Sequence, residues 1–178
     1  MSEKINRRSA LRTMLYIAGG ALILPACYRD SGRASIALVN ISIDESDEML
    51  LESLVEALIP ADDTPGGKGL RLHLFVLKMV DDCHEPESQQ QFVEGLKKFA
   101  IWSEEELSKL FIDAKSNEKT ELMTRVEESG DESLLSFFKT TKRRTIQGYM
   151  NSQYVMTNLV KYEIAPGRYN GYFPMGNE

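Results

Sequence analysis

The chain has 178 residues with 21 basic and 27 acidic side chains, a formal charge of −6, and it is 42% hydrophobic and 27% charged. That balance fits one folded domain and excludes wholesale disorder, and an acidic chain is a poor match for a phosphate backbone, so nucleic acid is not an expected partner. Two cysteines and two histidines exclude a disulfide-dense scaffold and a four-thiolate zinc or iron–sulfur centre.

The charge is unevenly spread. Residues 1–26 hold Lys4, Arg7, Arg8 and Arg12 against Glu3, which leaves 17 basic and 26 acidic residues in 27–178, a body of −9. The basic head precedes a 13-residue uncharged run, 14–26. A bilayer-spanning helix needs about 20 apolar residues, so this run suits the apolar core of an export signal rather than an anchor. Arg7 and Arg8, within Asn6-Arg-Arg-Ser-Ala-Leu-Arg12, resemble the recognition pair of twin-arginine signals. Residues 1–26 are therefore expected to be a twin-arginine-type signal peptide, with the product in the periplasm or cell envelope. Leu24-Pro-Ala-Cys27 resembles a lipobox and makes Cys27 a candidate lipidated first residue of the mature chain. The other reading is cleavage nearby, with Cys27 free or bridged to Cys83. Membrane contact is expected only through the signal or such a lipid anchor.

Residues 27–45 read as a tether and 46–178 as a helical domain. Within the tether, 36–43 is apolar and β-branched, fitting a short strand or an extended segment packed on the body. Leu50, Leu51, Leu54, Val55, Leu58 and Ile59 recur at helical spacing until Pro60 stops the run. Four breakers in the five positions 65–69 mark a loop. The stretch 70–80 alternates like a strand at 70, 72, 74 and 76, yet its length and helical neighbours favour a helix. Pro86 opens a helix whose inner face is Phe92, Val93, Leu96 and Phe99. Ser103-Glu-Glu-Glu106 reads as a capping box opening a separate helix through Leu107, Leu110, Phe111 and Ala114. Leu122, Met123 and Val126 mark a further helix ending near Gly130. Asp131 caps the next, with Leu134, Leu135, Phe138, Ile146, Tyr149 and Met150 inward. A last helical run holds Tyr154, Val155, Leu159 and Tyr162. Beyond Glu163, Pro166-Gly167, Asn170-Gly171 and Pro174 exclude regular structure. There is no internal repeat and no low-complexity tract. The expected fold is all-α: a compact multi-helix domain with an irregular aromatic C-terminal tail, behind a signal peptide.

The search for chemistry returns no catalytic, cofactor-binding or metal-binding set. Gly66-Gly-Lys-Gly69 lacks the Ser or Thr after lysine that a phosphate loop needs, and reads as an inter-helix loop. Asp81-Asp-Cys-His-Glu85 is the densest group of potential ligands, with Asp81 and Glu85 one turn apart if the helix continues. Only His73 could add a second imidazole, so a solvated helix C-terminus is the better reading. Cys83 and His84, as neighbours on a helix, point apart and do not pair as nucleophile and base. Lys142-Arg-Arg144 reads as a salt-bridged or partner-facing patch. Six aromatics, Tyr149, Tyr154, Tyr162, Tyr169, Tyr172 and Phe173, fall within 25 residues, joined by Pro166, Gly167, Arg168 and Gly171. Two readings stand: the tail folds back on its own helices, or it presents rigid aromatic anchors to a protein partner.

Three motifs carry a resemblance. Leu58-Ile-Pro-Ala-Asp-Asp-Thr-Pro-Gly66, Thr145-Ile-Gln-Gly-Tyr-Met-Asn-Ser-Gln-Tyr154 and Tyr162-Glu-Ile-Ala-Pro-Gly-Arg-Tyr-Asn-Gly-Tyr-Phe-Pro174 resemble, in order and spacing, the gluconate 2-dehydrogenase subunit 3 family. The resemblance spans 47–174 and extends to the twin-arginine signal. It implies a non-catalytic small subunit whose partner is a large FAD-dependent oxidoreductase of the glucose–methanol–choline type. That partner oxidises a sugar, sugar acid or polyol and passes electrons to a cytochrome c or a quinone. FAD would then reside in the partner, with no cofactor bound by this chain alone. The small subunit would supply the signal read by the twin-arginine translocase and help the flavoprotein mature. Tyr172 stands where the family often has cysteine, so no disulfide carries across. The alternative from the residues is a free-standing helical periplasmic lipoprotein.

Overall fold

The computed structural model describes residues 34–160 together with Gly167. Arg7, Arg8 and Cys27 lie outside the described residues. Among those described, the regular structure is entirely helical: α1 (Glu45–Leu58), α2 (Leu72–Cys83), α3 (Pro86–Leu107), α4 (Ser116–Glu128) and α5 (Glu132–Met150), with a 3-10 turn at Phe111–Asp113 and a π turn at Val155–Leu159. None of these helices is long and apolar enough to cross a membrane.

Residues 34–43 run as a strap packed on the helices, without strand structure and bent at Ser35–Ile36 and Val39–Asn40, with Ile41 and Ile43 buried. Asp44 then caps α1: its Oδ1 accepts the Asp47 amide at 2.8 Å, and Asp47 accepts the Asp44 amide in return. Leu50, Leu51, Leu54 and Val55 form the buried stripe of α1. The ambiguous stretch 70–80 is helical from Leu72, and Leu72, Val76, Leu77 and Val80 turn inward.

α3 corrects one expectation. Ser103 opens no helix, because it lies inside the 22-residue α3, almost wholly buried, with its hydroxyl donating to the Ala100 carbonyl at 3.0 Å. The stripe Phe92, Leu96, Phe99, Ser103 repeats at four-three-four spacing and carries the helix past the local capping signal. A serine inside a helix has no orphan amides to cap. The helix instead ends where Ser108 adopts a left-handed backbone, φ 53°. The segment expected to be helical through Ala114 is reduced to the 3-10 turn, which inserts Phe111 into the core and leaves Leu110 exposed.

α4 buries Leu122 and Val126, and Gly130 takes φ 68° just beyond it. Asp131 caps α5 as expected, accepting the amides of Ser133 and Leu134 at 3.1 Å each. The inward stripe of α5 is Leu134, Phe137, Phe138, Thr141, Thr145 and Gly148. Ile146 and Met150 lie off that stripe and are half exposed, a second correction. After Asn151 the expected amphipathic helix is only a π turn, in which Val155 is buried and Leu159 exposed.

α1 touches every other long helix, and α5 packs most extensively on α3 and α2. The centre is aromatic. Phe99 lies 5.3 Å from Phe111 and 5.6 Å from Phe137 between ring centroids, and Phe92 lies 5.2 Å from Phe137. Each such ring contributes about 1.5–3 kcal/mol by leaving water.

Candidate functional site

The loop between α1 and α2 is braced rather than loose. The Glu56 carboxylate accepts the Ala61 amide at 3.0 Å and the Lys68 amide at 2.7 Å. Asp62 accepts both the amide and the hydroxyl of Thr64. The Gly67 amide donates to the Ile59 carbonyl at 2.8 Å. A Cβ on Gly67 would sit 2.3 Å from the Val55 carbonyl oxygen, so only glycine lets the loop lie this close to α1. The amides of Gly67 and Lys68 are thus spent inside the loop, and the lysine side chain pairs with Glu52 at 2.9 Å. The segment is structural punctuation and not a phosphate cradle.

Arg71, with φ 52°, turns the chain into α2, whose first turn meets the C-terminal end of α5. Gly148 permits that approach, since a Cβ there would lie 2.7 Å from the Phe75 ring. One residue on, the Tyr149 hydroxyl lies 3.3 Å from the Thr64 hydroxyl and joins the loop to α5 across 85 residues of sequence. Two of the three motifs, 58–66 and 145–154, therefore converge on one junction.

Beside the junction lies an open groove of about 640 Å³. Leu72, Phe75 and Gly148 form its floor, and exposed or half-exposed polar groups of Arg71, Asn151, Tyr154 and Asn158 form its rim. A π turn supplies one wall, and such turns are frequent at functional positions. Of the residues expected at a partner interface, Tyr154 lines this groove and Tyr149 holds the junction beside it, both half-buried. Gly167 is exposed, with open space where a side chain would be. Tyr162, Pro166, Arg168, Tyr169, Gly171, Tyr172 and Phe173 lie outside the described residues.

The acidic cluster differs from its expected solvated form. α2 ends at Cys83, so Asp81 and Glu85 do not share a helical face. Asp81 is wholly buried, and its carboxylate accepts the strap amides of Val39 at 3.0 Å, Asn40 at 2.6 Å and Ile41 at 3.0 Å. The Asn40 side chain returns a bond to the Asp81 carbonyl. Burial alone would raise the Asp81 pKa, but those amides and Lys78 outweigh it and hold it below the usual carboxylate value. Among the described residues no cluster of His, Cys, Asp and Glu could hold a metal ion. Cys83 is exposed. His84 approaches the Arg144 guanidinium at 2.9 Å, and burial, with Arg144 and Arg143, lowers its pKa. Lys142 pairs with Glu127 at 2.7 Å.

A second buried carboxylate also holds the strap. Glu48 accepts the amide and hydroxyl of Ser35 and lies 3.5 Å from Nε2 of His73. Burial lowers the His73 pKa against the partial opposition of Glu52 and Glu48, so the ring is kept neutral. Nothing in the local sequence marks Asp81 or Glu48, because each finds its partners only in the folded chain. The groove was equally silent, since its rim consists of ordinary polar residues.

These features define a class: a helical domain organised around a clasped loop–helix junction, with its buried carboxylates spent on architecture. The family model described as gluconate 2-dehydrogenase subunit 3 matches residues 45–167, and the chain belongs to that family. The family name marks it as an accessory subunit of a dehydrogenase complex. No curated protein and no solved structure matches the chain.

Proposed function

We propose that this chain is the non-catalytic small subunit that binds a large FAD-dependent dehydrogenase of the glucose–methanol–choline type, assists its maturation and carries it out of the cytoplasm. The observation that carries the reading is the family match over 45–167, taken together with the Arg7-Arg8 pair that precedes an uncharged run. Flavin is loaded in the cytoplasm, and the twin-arginine translocase moves folded proteins. A signal-bearing subunit that clasps a loaded flavoprotein therefore exports it as cargo. Such a role needs a preformed surface and no catalytic group of its own. The braced loop and its groove suit this, because a rigid surface loses little freedom on docking. The aromatic tail around Tyr169, Tyr172 and Phe173 adds further anchors of the kind that dominate interfaces. Flavin and catalysis on a sugar or sugar acid belong to the partner, which hands electrons to a cytochrome c or a quinone. The assembly works in the periplasm or cell envelope, held at the membrane where Cys27 is lipidated.

The test is export. Arg7→Lys with Arg8→Lys is expected to leave both proteins in the cytoplasm, with flavoprotein activity missing from the periplasmic fraction. Normal periplasmic activity in that variant overturns the cargo role. Purification of the wild-type subunit is expected to bring down a yellow complex, whereas a colourless single protein favours a free-standing lipoprotein.

A further inference from the structure

The charge of the domain is divided in a way that the fold alone does not require. Residues 133–162 contain five cations and no carboxylate, while the other 12 basic residues of 27–178 share their stretches with all 26 acids. The cationic run is α5 and the turn after it. Along α5, Lys139, Arg143, Ile146 and Met150 follow at four-three-four spacing and so share one face. All four are exposed, Ile146 at 50% and Met150 at 52%. The neighbouring cations are engaged, Lys142 with Glu127 and Arg144 with Gln147. Among the described residues, no ion pair involves Lys139 or Arg143, whereas Lys68, Lys78, Lys98, Lys109 and Arg125 all have carboxylate partners. Among the described residues, the same helix thus carries a positive end with no ion-pair partner and an exposed apolar end on its outer surface. Leu159 and Val160, also exposed, follow in the turn that packs on α5.

We infer that the docking surface for the large dehydrogenase subunit extends from the groove onto this outer face of α5, and that the face meets a partner patch that is acidic beside an apolar centre. The inference rests on the function proposed above and adds where, and by what chemistry, the two proteins meet. An acidic patch is repelled by the remainder of the domain and attracted only here, so the charge division fixes the orientation of approach. Two other occupants fit less well. In a symmetric dimer the same patch meets itself, which sets Arg143 and Lys139 of one copy against those of the other. A membrane-lying helix needs a broad apolar face, and α5 spends its own on the core through Leu134, Phe137 and Phe138.

The experiment uses the full-length subunit and its large flavoprotein, with association followed as a function of salt. Lys139→Glu with Arg143→Glu is expected to slow association about tenfold or more at low salt and to remove its salt dependence. Ile146→Ser with Met150→Ser is expected to speed dissociation by about thirtyfold, the size of a genuine hot spot. Both variants should melt like the wild type, because the altered side chains are exposed. A wild-type subunit that forms no complex refutes the function proposed above. A complex that forms normally with all four substitutions in place refutes the α5 face alone. If the variants keep the flavoprotein but lose binding to phosphatidylglycerol vesicles, or shift a monomer–dimer balance, the face belongs to a membrane or a second copy and the inference is overturned.

Discussion

The domain solves one problem twice, at opposite ends of α1. A segment outside helix and sheet must place its amides somewhere. At the strap, the wholly buried Asp81 carboxylate collects those of Val39 and Asn40 near the surface and that of buried Ile41. At the loop, half-buried Glu56 collects those of Ala61 and Lys68. The chemistry is the same and the surroundings differ. Water can replace Glu56, because the groups that it serves reach the surface. Water cannot take the place of Asp81 at the buried Ile41 amide, so that part of the strap is held by an interaction that is either whole or lost.

Substitution is the most forceful way to break this comparison. Asp81→Ala leaves three amides without an acceptor and is expected to cost about 3 kcal/mol or more, measured by urea unfolding. Glu56→Ala should cost about 1 kcal/mol. Equal losses would show that burial does not separate the two sites.

Acidification sharpens the comparison next. His73 is neutral in the fold, with a pKa below 6.5, so the unfolded chain takes the proton more readily and stability declines as pH falls below about 6.5. Asp81 acts lower. Its folded pKa lies below 3.8, so its contribution is present above that value and is lost as pH falls through the folded one. Melting temperatures at about pH 7.5, 5.5 and 2.5 should therefore fall in two stages. His73→Gln should shrink the first stage, to which His84 also contributes, and Asp81→Asn should shrink the second, which it shares with the capping carboxylates Asp44 and Asp131. A first stage unchanged in His73→Gln would remove the histidine from this account.

The smallest effect belongs to the clasp. Tyr149→Phe removes one 3.3 Å hydrogen bond to Thr64 and should cost no more than about 0.5 kcal/mol. Amide exchange in 61–69 is the more sensitive readout, and it should quicken there while the strap amides stay protected. Unchanged exchange would mean that Glu56 alone holds the loop.

What the sequence displayed were features written within one turn or one stripe. The Leu50–Val55 face, the Asp131 cap, the loop at 65–69 and the all-helical class were all legible in this way. Ser103 misled because a capping signal is local, whereas the Phe92–Phe99 stripe that overrode it is set by packing. Ile146 and Met150 looked inward because they are apolar, whereas the true stripe passes through Thr141, Thr145 and Gly148, which hydrophobicity does not flag. Asp81 was illegible for a different reason. Its partners stand about 40 residues earlier, and an acidic residue in an acidic run looks like a solvated one. The family motifs were visible separately, but their meeting at Thr64 and Tyr149 exists only in three dimensions.

The strap also has a mechanical consequence. Tension applied ahead of residue 34 travels along the chain and arrives first at Ser35 and then at 39–41, where it is handed sideways to Glu48 on α1 and to Asp81 on α2. Several bonds in two clusters must fail before the load reaches the first turn of α1. The domain is thus gripped through two helices at once, and a pull on its leading end is borne by the packed bundle instead of unwinding it from the cap.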